Sequence, residues 1–326
     1  MTTNPERRTH VLEALEKCVV WHPSFARAHQ LVGKSMSTTR DRQAASSMML
    51  TGDTGVGKST LCKGIEAELN TDSEHDTGCS HVFTKHCLLV EVPPNATIKT
   101  LAIELLTKLG LEDRGRLEHM GSASLNRLIL QRLITMQVRL IILDEFHRIL
   151  DQGATATKKM VCRWVNQILN QATVPIVLAG LPTIETLIDT IAELSDRYPY
   201  RAHLRYFNFS DEAATAQFRK VIQLIDQKVI ERAGFTARVT LIQDLLFKAI
   251  CLATDGNFRH LNILLNDSLT LALEREDNKL TLEDFARAAD DLDFCRPHNP
   301  FRLSSRDLTA ALRRKYARAL LPTKAD

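Results

Sequence analysis

Gly52-Asp53-Thr54-Gly55-Val56-Gly57-Lys58-Ser59 sets three glycines, a lysine and a hydroxyl in the spacing of a phosphate-binding loop. Glycine lets backbone N–H groups close around phosphate oxygens where a side chain would collide. Lys58 can reach the β and γ phosphates, and the Ser59 hydroxyl can ligate Mg²⁺. A helix starting near Thr60 would add its partial positive charge beneath the phosphates. The octet, with Thr60 after it, predicts a nucleoside triphosphate site that uses Mg²⁺.

A second group is acidic. Arg139-Leu-Ile-Ile-Leu-Asp144-Glu145 is an apolar run ending in two carboxylates. Two adjacent acids are costly in a dry core. In a nucleotide site they have separate tasks: Asp144 holds Mg²⁺ through its water shell, and Glu145 polarises the attacking water. A pair that only caps a strand is the alternative, and the upstream loop argues against it. No Asn-Lys-x-Asp guanine-reading motif occurs, which favours adenine and hence ATP. His147, in Phe146-His147-Arg148, is either near the γ phosphate or a neighbouring subunit, or an ordinary surface histidine.

These residues need strands that end at one edge of a sheet. Ser47–Thr51, Cys87–Val92, Arg139–Asp144 and Val174–Ala179 read as short buried strands. Helices are expected over Thr60–Leu69, Ile98–Leu109, Ser122–Gln137, Thr157–Gln171 and about Ile184–Leu194, and a polar, turn-rich loop over residues 70–81. Repeated βα order predicts a parallel α/β sheet sandwiched by helices, with ligands at its C-terminal edge. After about Asn208 the strand signals stop. Glu212–Arg232, Leu241–Thr254, Arg259–Glu274 and Leu282–Asp291 read as a separate, small all-helical domain. The boundaries follow as residues 1–45, a helical extension that could bind a partner; 46–209, the nucleotide-binding domain; 210–295, the helical domain; and 296–326, a basic tail with a short amphipathic helix around Leu308, Leu312, Arg313, Arg314, Lys315, Arg318, Leu320 and Leu321.

Size and composition agree with that plan. At 326 residues, 44% hydrophobic and 25% charged, the chain has material for one large core and a smaller one. A formal net charge of +3 is too small to indicate nucleic acid by itself. The seven cysteines include no CxxC pair, which argues against a zinc knuckle or a disulfide framework. No apolar leader and no run of roughly 18 apolar residues occurs, so a cytoplasmic protein is expected.

Two further segments are rich in arginine chemistry. Asp196-Arg-Tyr-Pro-Tyr-Arg-Ala-His-Leu-Arg205 could send Arg197 or Arg201 across a subunit boundary to a neighbour's γ phosphate; spacing does not choose between them, and a solvated basic loop is the alternative. Gly256-Asn257-Phe258-Arg259 opens a helix whose Arg259 could reach back over the nucleotide and report whether ATP or ADP is bound.

Taken together, the chain resembles the AAA+ superfamily, its initiator-like branch, and more narrowly the TniB and TnsC group of ATP-dependent regulators of DNA transposition. The resemblance covers roughly residues 10–300. It rests on Gly52–Ser59, on Ile141-Ile-Leu-Asp-Glu145 with Phe146-His147, on Val177-Leu-Ala-Gly-Leu-Pro182, on Asp196–Arg205 and on Gly256–Arg259. It implies an AAA+ P-loop domain followed by a helical lid, and an ATPase that assembles on duplex DNA as a ring or helical filament. It further implies that this homo-oligomer links a TniQ-type targeting protein, CRISPR-guided in some systems, to a DDE transposase. Many members carry a polar residue after the fourth strand to orient the attacking water; here Gly180-Leu181-Pro182 follows, with Thr183 the nearest hydroxyl, so either hydrolysis is expected to be slow or Thr183 substitutes.

DNA contacts require Lys or Arg along one surface without base-reading geometry. Lys99 with Thr100, and Arg114 with Arg116, are the candidates, since in this fold those elements can line a central channel. Solvated faces explain them equally well. A helicase-loader or replication-initiator ATPase, and an ATP-gated scaffold that never engages DNA, are the competing functions.

Overall fold

The computed structural model describes residues 5–74, 84–94, 96–151, 155–209, 211–275 and 277–317. It divides into two compact units, Pro23–Leu204 and Met1–His22 with Arg205–Asp326. Helix α1 (Pro5–Glu16) belongs to the second unit and α2 (Pro23–Arg42) to the first.

The Pro23–Leu204 unit is built on five parallel strands, β1 (Met48–Gly52), β2 (Cys87–Glu91), β3 (Leu140–Asp144), β4 (Ile176–Gly180) and β5 (Tyr200–Leu204), in the order β2-β3-β4-β1-β5. Every residue of β1, β3 and β4 is buried, which is why their sequences are apolar runs and not alternations. The crossovers are α3 (Lys58–Glu74), α4 (Ile98–Lys108), α5 (Arg114–His119), α6 (Ser122–Thr135), α7 (Thr155–Ala172), α8 (Thr183–Asp189) and α9 (Ala192–Ser195). Leu101, Leu105, Ile129, Leu133 and Val165 from these helices join Leu88, Ile141, Leu143 and Leu178 of the strands in one core. Each such side chain contributes roughly 1.5–3 kcal/mol by leaving water.

Three features differ from the sequence expectation. The arginine-rich segment contains a strand: β5 pairs with β1 in parallel, with Ala202 and Leu204 buried and His203 exposed. Its half-polar alternation is that of an edge strand. Secondly, the helical extension expected over residues 1–45 is divided: α1 lies in the other unit, and α2, a 20-residue helix whose buried positions include Ser35 and Thr39, in this one. Their hydroxyls are satisfied: Ser35 Oγ donates to the Ser46 carbonyl at 2.6 Å and Thr39 Oγ1 to the Ser35 carbonyl at 2.8 Å. Thirdly, α3 continues to Glu74 through the first part of the expected loop, whose remainder, like Cys79, lies outside the described residues.

The second unit is helical: α10 (Glu212–Ile225), α11 (Asp244–Thr254), α12 (Phe258–Glu274), α13 (Leu282–Asp291) and α14 (Ser305–Ala317), with a small parallel pair β6 (Ala237–Arg238) and β7 (Lys279–Leu280). The helix expected to Arg232 ends earlier as α and continues as a π turn over Asp226–Ile230. Asp226 explains the change. Its buried carboxylate accepts two hydrogen bonds from Arg238, at 2.9 and 2.8 Å, and one from the Leu241 amide at 3.2 Å. Val11 and Leu15 of α1 share this unit's core with Phe218, Phe247, Leu264 and Phe285. The amphipathic tail helix is α14; Arg318, Leu320 and Leu321 fall outside the described residues. Among the described residues no helix is long and apolar enough to cross a membrane.

Candidate functional site

The glycine loop sits at the C-terminal end of β1. A Cβ at Gly52 would lie 2.3 Å from the Leu204 carbonyl oxygen of β5, so only glycine lets the neighbouring strand pass. Gly55 and Gly57 have φ of 83° and 92°, the left-handed region where a side chain is strained. The loop is further held from the side: a Cβ at Gly57 would meet Phe25 Cζ of α2 at 2.8 Å. Helix α3 opens at Lys58 itself, about half a turn earlier than Thr60.

Lys58 closes the loop on itself. Its Nζ donates to the carbonyls of Gly52 at 2.7 Å and Asp53 at 2.8 Å. The ammonium is buried, and burial pulls its pKa down, opposed by the carboxylates of Glu145, Asp144 and Asp53. The three acids thus act on the same ammonium. Ser59 is half-buried in the first turn of α3, while Asp53, Thr54 and Thr60 are exposed.

Asp144 and Glu145 lie two strands away in the sheet, at the end of β3, with β4 between. Asp144 is buried, and its Oδ1 accepts the Glu145 amide at 2.8 Å. Glu145 has φ 56°. For a non-glycine residue that conformation costs on the order of 1–3 kcal/mol; it breaks the alternation of the strand just where the second carboxylate must leave the sheet. The chain then enters a 3₁₀ turn, Phe146–Asp151. Phe146 anchors this turn in the core, and Arg148 ties it to β2, pairing with Glu91 at 2.7 Å and donating to the Val92 carbonyl at 2.8 Å. His147 Nδ1 stands 3.3 Å from Glu145 Oε2.

Sequence reasoning missed a polar network on the other side of the loop. Thr51, directly before Gly52, donates its hydroxyl to Glu185 Oε1 of α8 and is 2.8 Å from His203 Nδ1 of β5. Glu185 also faces His203 at 3.1 Å and Arg201 at 3.9 Å. Arg201 makes a fork to Asp189, at 2.8 and 2.5 Å. That fork holds the Asp189 carboxyl below the usual carboxylate range and the Arg201 guanidinium above its own. Alternation of outward Arg201 and His203 on a strand beside β1 was the only signal that could have announced this network. Phe25 likewise had only the Pro23 helix start to mark it.

The sheet unit therefore brings Lys58, Ser59, Asp144 and Glu145 to one edge. Arg197 is half-buried, and its carbonyl accepts the Ser47 amide at 2.8 Å. Arg259 belongs to the helical unit, exposed in the first turn of α12, which Asn257 caps by accepting the Arg259 amide at 2.8 Å. There Gly256, at φ 71°, has no room for a Cβ, which would fall 2.0 Å from the Phe207 carbonyl oxygen. The DNA candidates are on helices α4 and α5. Lys99 is exposed in the first turn of α4, where Thr100 is occupied in a reciprocal cap with Thr97. Arg114 pairs with Glu104 at 2.7 Å, and Arg116 is exposed in α5.

The donor set fits a nucleotide with Mg²⁺. A cradle with left-handed glycines offers inward N–H groups to an anion, Lys58 is within reach of the loop, and a hydroxyl and a buried carboxylate are the oxygen ligands that Mg²⁺ takes alongside water.

The family described as bacterial TniB protein matches residues 12–207. No curated protein matches the chain. Among solved structures, the chain is similar to the Aeropyrum pernix ORC1 protein in complex with DNA, with a TM-score of 0.63 and 15% identity over 86% of this chain and 68% of that one. It is similar also to the Aeropyrum pernix ORC2 protein in ADPNP and ADP complexes, with a TM-score of 0.62 and 14% identity over 82% and 67%. Cdc6p from Pyrobaculum aerophilum gives 0.52 and 12% over 81% and 66%. At these identities the likeness is one of fold, an AAA+ type α/β sheet unit followed by a helical region. The match over residues 12–207 goes further than fold, and by it the chain belongs to the bacterial TniB protein family.

Proposed function

We propose that this TniB-family chain is an ATPase that regulates DNA transposition, assembling on duplex DNA while ATP is bound and dispersing after hydrolysis. The observation that carries the enzymatic part is the meeting of Lys58, Asp144 and Glu145 in one electrostatic neighbourhood at the ends of β1 and β3. The N–H groups of Gly52–Thr60 and Lys58 hold the phosphates, and Ser59 with Asp144 holds Mg²⁺. The metal supplies charge neutralisation at the β and γ phosphates. Glu145 takes the proton of the attacking water. Lys58 exchanges the Gly52 and Asp53 carbonyls for phosphate oxygens. Arg197 or Arg201 completes the site of a neighbouring copy, and Arg259 reads which nucleotide is bound.

Family membership supports the regulatory part. On this reading a TniQ-type protein, CRISPR-guided in some systems, delivers the target signal, and a DDE transposase performs strand transfer. Lys99, Thr100, Arg114 and Arg116 touch DNA phosphates. Because contacts of that kind are independent of sequence, binding falls steeply with salt. Negative-stain imaging with a nonhydrolysable ATP analogue and random duplex DNA is the test. Rings or filaments are expected for the natural chain and only dispersed protein for Lys58→Ala; dispersed natural protein at micromolar concentration would sink the assembly claim.

A further inference from the structure

The 3₁₀ turn after Glu145 brings His147 back over the end of β4. A Cβ built on Gly180 would lie 3.1 Å from the His147 amide nitrogen and 3.3 Å from its Nδ1. The imidazole therefore fills the space that a side chain on the last residue of β4 would take. Glycine at 180 is what admits it.

His147 Nδ1 is buried and has no hydrogen bond of good geometry, yet it stands 3.3 Å from Glu145 Oε2. A buried polar atom left without a partner is destabilising. The separation is already within hydrogen-bond reach, so a small reorientation of the carboxylate would satisfy it, and the carboxylate is the more exposed member, 30% against 21% for His147. The ring is wedged against Gly180, and the turn behind it is fixed by Phe146 in the core and by Arg148 on Glu91 and Val92. A rigid donor beside a freer carboxylate is the arrangement that orients the carboxylate.

We propose that His147 is a positioning residue for Glu145: its Nδ1–H holds one carboxylate oxygen so that the other faces the attacking water. The inference rests on the ATPase reading above and adds a residue to it. Gly180 is part of the device, since a Cβ there would crowd the ring at 3.3 Å.

The test uses the full chain with Mg²⁺ and ATP and compares His147→Ala, His147→Asn and His147→Gln. Asparagine sets a nitrogen near the place of Nδ1, whereas glutamine reaches toward that of Nε2. His147→Ala should lower kcat roughly 10- to 100-fold, the range for losing a hydrogen bond to a charged group, with the Kd for ATP unchanged within about threefold on the same scale. His147→Asn should recover most of the loss and His147→Gln little of it. In the nucleotide-free protein carrying ¹⁵N-histidine, Glu145→Ala should move the His147 ring nitrogen resonances. An unchanged kcat in His147→Ala, a loss confined to ATP affinity, equal recovery by both amides, or ring nitrogens that ignore Glu145→Ala would each overturn the proposal. Failure of the ATPase reading looks different: the natural chain would not hydrolyse ATP, while the ring-nitrogen measurement would still decide whether His147 and Glu145 are bonded.

Discussion

Gly57→Ala is expected to destabilise the sheet unit for two separable reasons. At φ 92° an alanine is strained, which costs about 1–2 kcal/mol. Its Cβ would also stand 2.8 Å from Phe25 Cζ, well inside the ordinary carbon contact of about 3.5–4.0 Å. Phe25 is buried at 3% exposure in α2 and cannot turn away, so relief of the contact adds about 1–2 kcal/mol more. The total is roughly 3 kcal/mol. In a Phe25→Leu background the distal ring atoms are gone and only the backbone strain persists, so the penalty for Gly57→Ala should fall to about half, a coupling of about 1–2 kcal/mol in a double-mutant cycle. Urea unfolding followed by tryptophan fluorescence reads this directly. Trp164 lies in the sheet unit and Trp21 in the helical one, and Trp21→Phe leaves the wanted reporter. A Gly57→Ala protein within about 0.5 kcal/mol of the parent, or the same penalty with and without Phe25, would refute the reasoning.

Other consequences concern both units. His22 packs against Phe207 and Phe258, with ring centroids 5.2 and 5.6 Å away, and burial pushes its pKa down to about 4. The unfolded chain therefore takes up this proton first as pH falls, and stability should decline between about pH 6.5 and 4, by roughly 2 kcal/mol after allowance for partial solvation. Chemical unfolding at several pH values should show this slope, and His22→Phe should flatten it. Asp226→Ala removes the acceptor of Arg238 and of the buried Leu241 amide. A loss of about 2–4 kcal/mol in unfolding free energy of the helical unit is expected. Arg201→Ala breaks a mostly exposed pair with Asp189, so it should change stability by less than about 1 kcal/mol. If Arg201 serves a neighbouring copy it must release Asp189, and ATP turnover at assembling concentrations should then drop far more than stability does; equal turnover in Arg201→Ala with a loss in Arg197→Ala would assign that role to Arg197.

Strands β1, β3 and β4 were legible because burial on both faces leaves an unbroken apolar run, and the glycine loop because its chemistry is local to eight residues. The carboxylates Asp144 and Glu145 followed from where such a run stops. What escaped the sequence was tertiary in origin. Strand β5 hides among arginines since an edge strand buries one face only. The buried face of α2 hides since Ser35 and Thr39 take core positions by bonding to nearby carbonyls. The left-handed turn at Glu145, the fit of His147 over Gly180 and the fork from Arg201 to Asp189 have no hydrophobic period or motif to announce them.

The central claim is that Glu145 activates water for ATP bound at Gly52–Ser59, and phosphate release by Glu145→Gln tests it most directly. The substitution keeps shape and removes the base. ATP affinity should be held within about threefold, while kcat falls at least about 10²-fold. Turnover equal to that of the natural chain, with ATP still bound, would contradict the account.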